Sequence, residues 1–101
     1  MPISKEIQET RAKILDFEKR IEEMHLDFQK YCQGLDPKMP DHERLEQELL
    51  FFSRRKIFDL ELSKQLDRIL YKFQNRKRIW LRWAEEFQQG AHAKAQEPKS
   101  P

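Results

Sequence analysis

The chain has 101 residues, 38% of them charged and 38% hydrophobic, and its 20 basic and 18 acidic side chains leave a formal net charge of +2. That length allows one domain at most. Charge well above the globular average of about 25% points to long helices, while seven Phe, two Trp and two Tyr at periodic positions exclude a disordered chain.

Glycine and proline punctuate the sequence. Gly34 and Gly90 each follow a long stretch free of both residues, and Pro2, Pro37, Pro40, Pro98 and Pro101 all lie outside those stretches. Glycine accepts the left-handed conformation just past a helix end, and proline cannot continue a helix. The pattern predicts a helix over residues 3–33, a turn over 34–40, a second helix over 41–89 and a disordered polar tail over 90–101. Residues 1–89 form the helical domain.

The first helix carries a heptad seam. Ile3, Ile7, Thr10, Ile14, Phe17, Ile21, Met24, Phe28, Tyr31 and Leu35 alternate four- and three-residue steps, the spacing of a helix packed along a left-handed supercoil. Leu15 and Leu26 flank this stripe and widen it. Acid-before-base pairs such as Glu9–Lys13 and Asp16–Arg20 each support a helix by about 0.2–0.5 kcal/mol. Gly34 ends the helix and Leu35 is expected to fold back on its last turn. Pro37 and Pro40 then make a short turn, which favours an antiparallel return.

The second helix starts at the candidate cap Asp41. From Leu62 its apolar residues form two adjacent rows. One is Leu62, Leu66, Ile69, Phe73, Trp80, Trp83 and Phe87 with Arg76 as a gap; the other is Leu66, Leu70, Phe73, Lys77, Trp80, Ala84 and Phe87. Two rows on one helix suit a bundle of three or four helices. The fold expected is all-α: an antiparallel, coiled-coil-like two-helix hairpin with a longer second arm, completed into a bundle by self-association as a dimer. In that hairpin the segment after about Arg76 overhangs, so Ile79, Trp80, Trp83 and Phe87 are expected to be covered by a second copy or another protein. A kink near Ser53–Lys56, where the seam is interrupted, would instead fold the distal half back into a three-helix bundle.

No catalytic, cofactor-binding or metal constellation stands out. His25, His42 and His92 are scattered outside any metal-binding spacing, and His25 and His42 read as polar surface residues near the turn; Cys32 has no CxxC partner and reads as a half-buried structural thiol. Two glycines cannot build a phosphate-cradling loop.

Charge is divided along the chain. Residues 1–51 carry 8 bases and 12 acids, net −4; residues 52–101 carry 12 bases and 6 acids, net +6. Arg68, Lys72, Arg76, Lys77, Arg78 and Arg82 form a strip that could bind phosphates beside the tryptophans. The plainer reading pairs that strip with the acidic first helix, for instance with Glu6 and Glu9. A membrane-surface reading of residues 75–83 is opposed by flanking acids and the sustained seam. The single cysteine, the lack of an apolar leader and the lack of a long apolar run suggest a cytoplasmic protein. The function expected is that of a non-enzymatic interaction protein (an adaptor, assembly factor or small chaperone), with nucleic-acid binding as the alternative. In general shape alone, such hairpins resemble the small coiled-coil proteins of secretion and other assembly machines.

Overall fold

The computed structural model describes the backbone of residues 2–96 and the side chains of residues 5–90. It contains three helices, α1 (Pro2–Cys32), α2 (His42–Ser53) and α3 (Leu60–Gln96), with no strand among the described residues. The all-α expectation holds. The two-helix hairpin does not: the helix expected over 41–89 is broken at residues 54–59, at the position where the apolar seam lapses.

The first turn is built as the sequence suggests. Gly34 takes φ +78, Gly34 N–H donates to the Tyr31 carbonyl and Leu35 N–H to the Lys30 carbonyl. That pair of bonds is the Schellman closure, and it needs a residue that tolerates the left-handed region. Leu35 is 71% exposed rather than folded back. Asp36 accepts from Lys38 N–H, and Asp41 caps α2 by accepting from Arg44 N–H at 3.2 Å.

The second connection uses no glycine or proline. The Ser53 hydroxyl donates to the Leu50 carbonyl, and Arg54 and Arg55 close the last turn with bonds to the Phe51 and Phe52 carbonyls. Asp59 then restarts the chain by accepting from Leu62 N–H at 2.9 Å. Local propensity alone permits a continuous helix here; tertiary packing overrides it, because a break lets the twin apolar rows of α3 lie against both other helices.

The contacts fix the directions. Along α1 and α3 they advance together: Glu18 and Glu22 meet Lys72, Glu22 and His25 meet Arg76, His25 meets Trp80, and Tyr31 meets Gln88. Those long helices are therefore parallel. Along α1 and α2 they run oppositely, with Phe28 against His42, Arg20 against Glu48 and Phe17 against Phe52. The result is an up-down-up rod with extents of 74 × 19 × 17 Å.

The core follows the predicted seam closely. Ile14, Phe17, Ile21, Phe28 and Tyr31 of α1 are buried, with Ile7 and Met24 packed at its edge. From α3 come Leu62, Leu66, Ile69, Phe73, Trp80 and Ala84, and from α2 Leu45, Leu49 and Phe52. Ile3 lies outside the described side chains. Gly90 does not end the last helix, which runs on to Gln96. The expected tail thus lies partly in α3, and its remainder, residues 97–101, lies outside the described residues.

Candidate partner-binding surface

The four residues expected to overhang have separate fates. Because α3 restarts at Leu60 and runs parallel to α1, Trp80 comes level with Phe28 instead of passing beyond the hairpin. Trp80 is fully buried, stacked on Phe28 at 5.1 Å between ring centroids and edge-on to Phe73 at 5.8 Å. Its own chain covers it, which removes the bare indole tip as a reason to invoke a partner. Trp83 and Phe87 are half-buried, Trp83 tilted over His25 at 5.1 Å and Phe87 edge-on to Tyr31 at 5.2 Å. Ile79 remains 40% exposed. Ile79, Trp83 and Phe87 recur every four residues, so they share one side of α3 beside α1.

His25 is the hub beneath that row, not the surface residue the sequence suggested. Trp80 Nε1–H and Arg76 Nη1 both donate to His25 Nδ1, each at 3.0 Å. Two donors on one nitrogen require it to be an acceptor, so the ring is neutral with its proton on Nε2. Burial holds the imidazole below its usual pKa, and the Arg76 guanidinium adds to that shift while Glu22 opposes it. The apolar spacing gives no sign of this role. A histidine one position past the seam residue Met24 is the available signal.

The basic strip divides in the same way. Lys72 is held by Glu18 and Glu22, Arg76 by Glu22, and Lys77 by Glu46 at 2.8 Å. Arg76 and Lys77, the polar gaps in the two rows, are thus answered by α1 and α2 respectively. Lys72 hydrogen bonding holds the Glu22 carboxyl below its ordinary pKa, and Lys77 does the same for Glu46. The partners are not Glu6 and Glu9, because α3 runs parallel to α1 rather than against it. Arg68, Arg78 and Arg82 are exposed and make no ion pair among the described residues.

Arg20, expected to pair with Asp16, instead binds Glu48 across to α2. Cys32 is half-buried, and burial followed by the nearby Glu86 charge pushes its thiol pKa up, the reverse of an activated thiol. His42 is buried against Phe28 with its Nδ1 unpartnered. Among the described residues no three His, Cys, Asp or Glu side chains gather as metal ligands, and no helix is long and apolar enough to cross a membrane. Comparisons with protein-family models, curated proteins and solved structures return no match.

Proposed function

We propose that this protein is a non-enzymatic helical interaction module, an adaptor, assembly factor or small chaperone of the cytoplasm, which self-associates as a dimer and takes a partner helix along α1 and α3. The observation that carries the reading is the row Ile79, Trp83 and Phe87, partly open to solvent beside α1. Anchors four residues apart suit a helix laid alongside, and large aromatic side chains are the usual anchors of such contacts. Trp80 supports the row from beneath rather than touching the partner. The test is solution mass together with scattering-derived shape. A dimer is expected for the wild type and a monomer of unchanged helicity for Ile79→Ser/Trp83→Ala. A wild type that stays monomeric at high concentration removes self-association, and a dimer unmoved by the double variant removes the row.

The alternative of nucleic-acid binding is favoured by Arg68, Arg78 and Arg82, which share the exposed side of α3 with Lys64 and Asn75. Lys72, Arg76 and Lys77 would have to leave their carboxylates to join them. A strip reduced to these free arginines supports weak, strongly salt-dependent binding. Titration at two salt concentrations tests it, and no binding at low salt removes it.

A further inference from the structure

The break between α2 and α3 leaves an unusual segment. Phe58 is 87% exposed, Phe51 70% and Leu60 69%, although large apolar side chains near a core are normally drawn into it. Between them stand three consecutive cations, Arg54, Arg55 and Lys56, all exposed. Among the described residues none of the three has a carboxylate within ion-pair distance. The nearby acids are engaged or few: Asp59 caps α3, Glu48 is held by Arg20, and Glu61 is the remaining exposed carboxylate of the first turn. Lys56 lies over the Phe58 ring at 5.6 Å and Arg55 over the Phe52 ring at 5.7 Å.

We propose that residues 51–60 form a docking loop for an anionic lipid surface, in which Phe51, Phe58 and Leu60 enter the headgroup layer while Arg54, Arg55 and Lys56 meet lipid phosphates and carboxylates. Charge complementarity selects this occupant. Cations interleaved with exposed aromatic and aliphatic side chains match an interface that is negative outside and apolar within. A second copy of the chain is the competing occupant, because a groove lined by Met39 and Leu81 beside Glu43 and Glu46 offers an apolar seat next to carboxylates. A dimer that depends on the loop and forms without lipid is the outcome that separates the two.

The test is co-sedimentation of the full chain with vesicles of phosphatidylcholine alone and of phosphatidylcholine with phosphatidylserine, at low and moderate salt. Binding is expected only with phosphatidylserine. Arg54→Gln/Arg55→Gln/Lys56→Gln is expected to weaken it about a hundredfold, at about fivefold per cation. Phe51→Ser/Phe58→Ser is expected to weaken it at least about tenfold. All five of these positions are exposed, so circular dichroism of both variants should match the wild type. In Phe58→Trp the added indole emission should shift to the blue with anionic vesicles and stay unmoved with neutral ones. No sedimentation of the wild type with anionic vesicles at low salt overturns the proposal. So does binding that survives the phenylalanine changes, or binding lost through Arg78→Gln/Arg82→Gln instead of through the loop. A loop-dependent dimer that forms without lipid also overturns it.

Discussion

The rod has two unlike halves. Where α2 lies over α1 and α3, the interior is rich in rings: Phe17, Phe28, Phe52, Phe73 and Trp80 are buried there beside Ile21, Leu45, Leu49 and Ile69. Where only the linker accompanies the two long helices, it is aliphatic, with Ile7, Ile57 and Leu62. The cross-helix ion pairs of Arg20, Arg76 and Lys77 also belong to the first half. Two helices touch along a narrow seam that methyl groups fill, whereas a third helix closes a space large enough for rings that each bury about 150–250 Å². Twelve residues of α2 thus decide where the stability of the whole rod is concentrated.

The largest test of that contrast compares one core residue from each half. Trp80→Ala should lose about 3–5 kcal/mol, and Leu62→Ala about 2 kcal/mol, by urea denaturation. Equal losses would erase the distinction. Amide exchange sharpens it. Protection should be highest over residues 17–31 and 69–84 and lower over residues 5–13 and 60–65, which would open without global unfolding.

The two connections allow finer comparisons. Gly34→Ala forces an alanine into φ +78 and should cost about 1 kcal/mol. Asp59→Ala removes the cap of α3 and should cost about 1 kcal/mol, with its protection loss confined to the aliphatic half. A uniform loss along the rod would show that the halves unfold as one.

The smallest effects come from pH. Glu22 and Glu46 have folded pKa values below the ordinary 4.5, so their contribution is present above 4.5 and lost as pH falls through the folded values. His25 is also lowered, from 6.5. Its neutral form belongs to the fold, so stability should begin to decline as pH drops below 6.5 and continue through the folded value. His25→Gln should flatten the melting-temperature profile in that window, and an unchanged profile would place the titrating group elsewhere. All these groups are in the aromatic half, so exchange protection there should respond to acid first.

These two connections also mark how far the sequence alone can be read. Gly34 and the prolines after it announce the first turn, because backbone geometry demands those residues. The second break is carried by Asp59, a polar residue inside a run that could continue as helix. Its advantage emerges only when Leu62, Ile69 and Trp80 find α1 alongside them. The lapse of the seam at Ser53–Lys56 is the visible trace. Periodicity identifies nearly every core residue of α1, yet it cannot tell a parallel from an antiparallel neighbour, since a heptad stripe is the same read either way. That one ambiguity turns Trp80 from an expected contact into a core residue and moves the carboxylates facing the basic strip from Glu6 and Glu9 to Glu18, Glu22 and Glu46. His25 escapes a sequence reading because its importance lies in two donors that arrive from another helix.

The shared direction of α1 and α3 has a mechanical consequence. Tension applied between residue 5 and residue 90 acts along the rod and slides one long helix past the other. Every rung from Glu18–Lys72 to Tyr31–Gln88 then bears load together. In an antiparallel hairpin pulled at its open end, the same rungs would open singly, like the teeth of a zip. The molecule is therefore built to resist being stretched end to end.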